Sequence, residues 1–170
     1  METTTCVRFL SEALPAFVDN RAPDLSLVCR VQGRLCALPL GHVIETMRPL
    51  PTVVVAGTPP FVRGLAVIRG TPLPVLDVAS LLGEADASPG RFVTLTVGLR
   101  HVALAVDSVL GVRAIPPGSL RRLPPLLHEA GSEVVASIGL LDAELLLVLQ
   151  SSRLLAEDAW EVLDGSRDVL

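Results

Sequence analysis

The chain has 170 residues, half of them apolar, and a formal net charge of −4. The acidic balance and the absence of a basic stripe argue against nucleic acid as a partner. No apolar run reaches the roughly 18 residues of a membrane span, and the start METTTCVRFL lacks the features of a secretion signal. We therefore expect a cytoplasmic protein without direct membrane insertion.

Residues 1–24 form an N-terminal extension with its own pattern. Apolar residues recur there at helical spacing, interrupted by Pro15. This spacing predicts a short amphipathic helix that either packs on the body of the protein or docks on a partner. The apolar positions are Val7, Leu10, Leu14, Phe17 and Val18.

From Leu25 onward the pattern alternates, as in strands. The runs LSLVCRV and RLCALPL flank Gln32-Gly33, which predicts a two-residue hairpin turn. In that register paired residue numbers sum to 65, so Cys29 lies opposite Cys36. Two interpretations remain open, a disulfide or two buried thiols in a reducing compartment.

Further strand-length runs follow, separated by proline and glycine. Asp77 is placed to cap a short helix, VASLLG, that ends at Gly83. Ser151 or Ser152 is placed to cap a final helix, and residues 166–170 are expected to fray. The predicted strands are VIETM, TVVV, LAVIRG, PLPVLDV, RFVTLTV, RHVALAV, SVLGVRAI, VVASIGLL and AELLLVL, the last two forming a hairpin around Leu141–Asp142; the predicted final helix is SRLLAEDAWEVL.

A weak internal repeat has an offset of 66 residues. The segment that begins at Arg34 aligns with the one that begins at Arg100, with identities at 34/100, 37/103, 38/104 and 43/109. This indicates two similar strand-rich halves, as in barrels or sandwiches.

The sequence offers little support for catalysis. His42, His101 and His128 have no second ligand at metal-binding spacing, and no nucleophile elbow or phosphate-binding loop is present. We therefore expect no metal, no cofactor and no enzymatic activity. A Ser-His-Asp site assembled from distant residues stays open. A small-ligand or enzymatic barrel would need a convergent polar pocket.

Two Arg-Gly pairs interrupt the apolar stretch FVRGLAVIRGTPLPVLDV, at Arg63-Gly64 and Arg69-Gly70. Glycine permits positive φ and close backbone approach, so Gly64 and Gly70 are expected to shape strand ends. Arg69 would then lie at a barrel rim and present its donors to a partner. The alternative is a structural salt bridge from Arg69 to Glu45 or Asp77.

These motifs resemble the CheW family, the coupling proteins of bacterial chemotaxis arrays. Three stretches carry the resemblance, in the family's order: Val43-Ile44-Glu45, PPFVRGLAVIRGTPLPVLDV at 59–78, and ALAVDSVLGV at 103–112. The resemblance covers about three quarters of the chain. One departure is Val67, which stands where the family commonly has Asn before Leu-Arg-Gly.

The resemblance implies a mainly all-β fold of two intertwined, five-stranded SH3-like barrels with short helices and a C-terminal helix. The corresponding domain would span residues 25–165. Its barrels would occupy roughly 40–90 and 91–150, with the chain ends crossing over.

The resemblance also implies a non-enzymatic adaptor. One barrel would bind the regulatory domain of a CheA-type histidine kinase, and a groove between the barrels would take the cytoplasmic tip of a chemoreceptor at membrane-associated arrays. A non-flagellar chemosensory pathway and self-association are further expectations. The implied receptor-binding residues are Val43, Glu45, Arg69, Arg91 and Val112, with Gly64, Gly70 and Asp77 structural and Arg63 a solvated rim residue.

Overall fold

A computed structural model of the chain describes residues 23–85, 88–123 and 132–167. The predicted helix of the N-terminal extension, His128 and the end of the expected frayed tail lie outside these ranges.

The fold is mostly β, as the sequence predicts. Residues 78–81 form helix α1 and Glu157–Arg167 form helix α2. The strands of the described residues are β1 (Asp24–Val31), β2 (Arg34–Pro39), β3 (Val43–Met47), β4 (Val62–Ile68), β5 (Thr71–Asp77), β6 (Arg91–Val97), β7 (Arg100–Val106), β8 (Ser108–Ile115), β9 (Arg121–Arg122), β10 (Val135–Leu141) and β11 (Glu144–Leu149).

The strands form two sheets with the same internal plan. Sheet A has the order β8-β1-β2-β11-β10-β9, and sheet B has the order β3-β6-β7-β5-β4. In each sheet two antiparallel hairpins meet at one parallel pair, β2 with β11 and β5 with β7. Strand β2 of sheet A thus corresponds to β7 of sheet B, which confirms the repeat with an offset of 66.

The two sheets exchange a strand. β3 directly follows β2 in the chain but pairs with β6 in sheet B, whereas β8 directly follows β7 but pairs with β1 in sheet A. The predicted boundary near residue 90 is therefore wrong, because β6 and β7 lie in sheet B with β4 and β5. The local sequence pattern predicts where each strand lies. Which strands become neighbours in a sheet is decided by pairing between distant segments of the chain.

The β1–β2 hairpin has the predicted register. Cys29 lies opposite Cys36, and the turn residues Gln32 and Gly33 have φ of 48° and 77°. Both thiols are buried and free. Burial raises the pKa of each to about 12, so both stay protonated at neutral pH.

Three apolar clusters hold the molecule together. The largest combines residues of both sheets with Trp160 and Leu163 of α2. A second cluster around Phe92 lies within sheet B, and a third around Val28 lies within sheet A. This division is what two barrels with a shared interface require.

Two segments differ from their predictions. The final helix begins at Glu157, because residues 151–153 form a separate 3-10 turn and Leu154 and Leu155 are buried just after it. It continues through Arg167, so residues 166 and 167 are helical and not frayed. Of the predicted strand TVVV, only Val53 pairs, through an isolated β-bridge to Leu65 of β4.

Candidate functional site

The second Arg-Gly pair forms the tight turn between β4 and β5. Ile68 lies opposite Thr71, so Arg69 and Gly70 are the two turn residues, with φ of 51° and 78°. Positive φ at both positions is what a type I′ hairpin turn requires. A Cβ on Gly70 would have no atom within 4 Å, so glycine serves the backbone conformation there.

Arg69 makes a two-pronged ion pair with Glu45. Its Nε donates to Oε1 over 2.7 Å and its Nη2 donates to Oε2 over 2.6 Å. The Arg69 side chain is nevertheless 78% exposed, whereas that of Glu45 is 24% exposed. Hydrogen bonding to the guanidinium lowers the pKa of the Glu45 carboxyl from its ordinary value. Of the alternatives that the sequence left open for Arg69, the salt bridge to Glu45 is therefore observed.

The curvature of sheet B brings the two partners together. Glu45 lies on β3 at one end of the sheet order, and Arg69 follows β4 at the other end. Thr94 of β6 fixes the Glu45 backbone, accepting from its N–H (3.2 Å) and donating to its carbonyl (3.3 Å). The ion pair lines a shallow pocket of about 200 Å³ with Ile44, Ile68, Thr71, Leu73, Thr94 and His101.

The other predicted receptor-binding residues lie apart from this pair. Val43 is half-buried and packs against the main apolar cluster. Val112 is 48% exposed on β8, in sheet A, opposite Leu27. Arg91 is exposed at the start of β6, and its Nη1 donates to the Gly90 carbonyl over 3.0 Å. Of the five predicted receptor-binding residues, the structure therefore brings Glu45 and Arg69 into contact.

Asp77 combines two structural contacts. Its Oδ1 accepts from the Ser80 N–H at the start of α1, and its Oδ2 accepts from Arg63 Nη1 over 2.9 Å. The Asp77 side chain is only 6% exposed and that of Arg63 is 25% exposed. Arg63 is thus a structural ion-pair residue, and its assignment as a solvated rim residue is wrong.

Gly64 lies inside β4, at a bulge, and not at a strand end. Its φ is 137°, and a Cβ there would lie 2.1 Å from the Val53 carbonyl oxygen. Val53 and Leu65 exchange backbone hydrogen bonds of 2.8 and 2.9 Å beside it. Glycine at this position allows residues 53 and 54 to approach the strand closely.

Residues 23–85, 88–123 and 132–167 contain no cluster of three or more His, Cys, Asp or Glu side chains able to hold a metal. His42 bonds through Nδ1 to the Ser151 hydroxyl at 2.7 Å. His101 lies on β7 beside the Glu45–Arg69 pair. No helix within the described ranges is long and apolar enough to cross a membrane.

Sequence reasoning missed Ile44 as a surface residue of this site. It is 48% exposed and shares the pocket with Glu45 and Arg69. The signal lies in the strand VIETM, where the exposed Ile44 lies between the half-buried Val43 and Glu45.

Comparison with known proteins decides the family. The family model of the CheW-like domain matches residues 26–159. The chain belongs to this family. It is 33% identical to the protein FrzA of Myxococcus xanthus over 69% of this chain and 76% of that one. It is 30% identical to the protein PilI of Pseudomonas aeruginosa, over 70% and 69% of the two chains.

Two further CheW-like proteins extend the comparison. The chemotaxis protein CheW of Klebsiella aerogenes is 24% identical over 65% of this chain and 69% of that one. The crystal structure of the scaffolding protein TtCheW from Thermoanaerobacter tengcongensis superposes with a TM-score of 0.67 at 21% identity. That match covers 75% of this chain and 89% of the other, and shows the shared fold. Family membership makes this chain a CheW-like adaptor of chemosensory signalling.

Proposed function

We propose that this protein couples chemoreceptors to the regulatory domain of a CheA-type histidine kinase. It would do so without catalysis, by holding both partners in fixed positions at a receptor array. Family membership supports the adaptor role, and the Glu45–Arg69 pair supports a defined receptor contact.

The observation that carries the receptor contact is an arginine held rigidly yet left exposed. The type I′ turn fixes the Arg69 backbone and Glu45 fixes two of its five donors. Its Nη1 makes no hydrogen bond within the described part of the chain. We expect this group to donate to a carboxylate or a helix-terminal carbonyl on a receptor tip.

Apolar surface around the pair would supply the rest of the interface. Ile44 and Val67 are 48% and 57% exposed on β3 and β4. Interfaces of this kind depend on a few central apolar and Arg contacts within a larger, nearly neutral area. Val112 on β8 would extend the contact to sheet A, whereas Val43 would act indirectly by holding β3 in place.

The pathway served is a separate question, and one observation favours a non-flagellar output. FrzA and PilI are 33% and 30% identical to this chain, compared with 24% for the CheW of Klebsiella aerogenes. We therefore propose that the partner kinase belongs to a chemosensory pathway other than flagellar chemotaxis. Titration against regulatory domains from each pathway of the same cell would separate the two.

The receptor contact is tested by calorimetric titration of the full chain against a receptor signalling tip. Arg69→Ala should weaken binding at least tenfold, the loss typical of a central arginine. Arg122→Ala is the matched control, because Arg122 is also exposed but lies on β9 of sheet A. Equal affinities for the folded variants would remove Arg69 from the receptor site.

A further inference from the structure

The exchanged strands β3 and β8 each carry a β-bulge, and the two bulges lie at equivalent positions. In sheet B, Ile44 has no partner on β6, so it is the extra residue of β3. In sheet A, Leu110 is the extra residue of β8 in the same way. The two bulges are separated by the offset of the internal repeat. Gly111 of β8 is therefore the counterpart of Glu45 on β3.

The two bulges are held in different ways. Gly111 has a φ of 126°, a conformation that is open to glycine, and it lies opposite Val28. Glu45 has a negative φ and lies opposite Thr94. The Thr94 hydroxyl accepts from the Glu45 N–H over 3.2 Å and donates to the Glu45 carbonyl over 3.3 Å. A glycine backbone thus permits one bulge, and a side-chain hydroxyl holds the other.

This difference bears on the receptor site, because glycine has no side chain to offer. Neighbouring residues of a regular strand face opposite sides of the sheet. At the bulge, by contrast, both Ile44 and Glu45 line the pocket beside Arg69. Thr94 borders the same pocket but is only 2% exposed, so its hydroxyl acts on the Glu45 backbone and not on a partner.

We infer that Thr94 is a positioning residue of the receptor contact, a role that rests on the proposed function of Arg69. Its hydroxyl fixes the Glu45 backbone, and the Glu45 carboxylate in turn accepts two hydrogen bonds from Arg69, of 2.7 and 2.6 Å. Thr94 lies on β6, which has a strand on either side in sheet B. The exposed arginine is therefore oriented from an interior strand through one intermediate carboxylate.

The first test measures the position of the Glu45 carboxylate without any receptor. Thr94→Val keeps the shape of the side chain and removes the hydroxyl, whereas Thr94→Ser keeps the hydroxyl. In an NMR titration, Thr94→Val should raise the pKa of Glu45 toward its ordinary value, because the carboxylate loses the hydrogen bonds from Arg69 that lower it. Thr94→Ser should leave this pKa low. Thr96→Val is the matched control, since Thr96 lies on the same strand and its hydroxyl bonds no residue of the described ranges.

The second test is calorimetric titration of the same full-length variants against a receptor signalling tip. Thr94→Val should weaken binding about threefold to tenfold, the effect of losing one hydrogen bond. Thr94→Ser and Thr96→Val should bind as the wild type does. Thr94→Ser also removes a buried methyl group and should lower Tm, so affinity and stability respond differently to the two changes. A loss of affinity in Thr94→Ser equal to that in Thr94→Val would assign the effect to packing and overturn the inference.

Two further outcomes are decisive. A folded Thr94→Val variant with an unchanged Glu45 pKa or an unchanged receptor affinity would show that the hydroxyl does not position the contact. If the wild type itself does not bind the receptor tip, the proposed receptor contact fails, and the Glu45 titration separately shows whether the hydroxyl positions the carboxylate. Should Thr94→Val not fold, Thr94→Ala removes the same hydroxyl and takes its place in both titrations.

Discussion

At the scale of single residues, the Glu45–Arg69 pair is the feature on which the receptor contact depends. The pairing lowers the pKa of the Glu45 carboxyl mainly through the hydrogen bonds from Arg69. A depressed carboxyl pKa favours the folded state above the ordinary pKa, and this contribution is lost as the pH falls through the lowered value. The pair is therefore intact at neutral pH.

Arg69→Ala should raise the pKa of Glu45 back toward its ordinary range. An NMR titration of the Glu45 side-chain carboxyl carbon measures this directly, with Arg122→Ala as the control that should leave the pKa unchanged. Because both side chains are accessible to solvent, the variant should unfold at nearly the wild-type temperature. An unchanged Glu45 pKa would mean that the two groups do not pair in solution.

Gly64→Ala should destabilise the protein by about 3 kcal/mol, because the added Cβ meets the Val53 carbonyl and the backbone has positive φ. Gly70→Ala is the matched control. It shares a positive φ but has open space around its Cβ, and should cost about 1 kcal/mol. Urea unfolding of both variants gives the comparison, and equal losses would contradict the close approach of residue 53.

At the scale of elements, the two arginines of the repeat have different partners. Arg100 of β7 stacks over Trp160 at 4.8 Å and pairs with Glu157 at 2.9 Å, which ties α2 to sheet B. Arg34, its counterpart on β2, pairs with Glu84 and has no stacking partner among the described residues. Arg100 thus combines an ion pair with a cation–π contact.

Arg100→Ala should cost about 1–2 kcal/mol of unfolding free energy, and Arg34→Ala less than about 1 kcal/mol. Urea unfolding followed by the fluorescence of Trp160, the single tryptophan, reports both values. Arg100→Ala should also shift the emission of the folded state, whereas Arg34→Ala should not. Equal effects of the two variants would exclude a stabilising role of the stacking contact.

Elements were the most predictable level of the structure. The turn Gln32-Gly33 and the alternating apolar pattern sufficed to predict the β1–β2 register residue by residue, because a two-residue turn fixes the pairing. The start of α2 was not predictable in the same way. Leu154 and Leu155 continue its apolar pattern but are buried between the 3-10 turn at 151–153 and the helix, so tertiary packing decides where the helix begins.

At the scale of the whole molecule, the repeat predicts two similar halves but not their boundary. The exchange of β3 and β8 between sheets leaves no local trace, because each of them pairs with a strand that is distant in the chain. The same limit applies to the site. The sequence left two interpretations of Arg69 open, a partner contact or a structural salt bridge. Only the closure of sheet B shows that Arg69 bonds Glu45 while most of its side-chain surface remains exposed.

The central claim is that the protein connects receptor and kinase at once, and a bridging assay tests it most directly. Membranes that carry the receptor are sedimented with the kinase regulatory domain, with and without this protein. The regulatory domain should pellet only when wild-type protein is present. Arg69→Ala should abolish pelleting while still binding the regulatory domain in solution. If the wild-type protein fails to carry the regulatory domain into the pellet with each pair of cognate partners, it does not connect receptor and kinase.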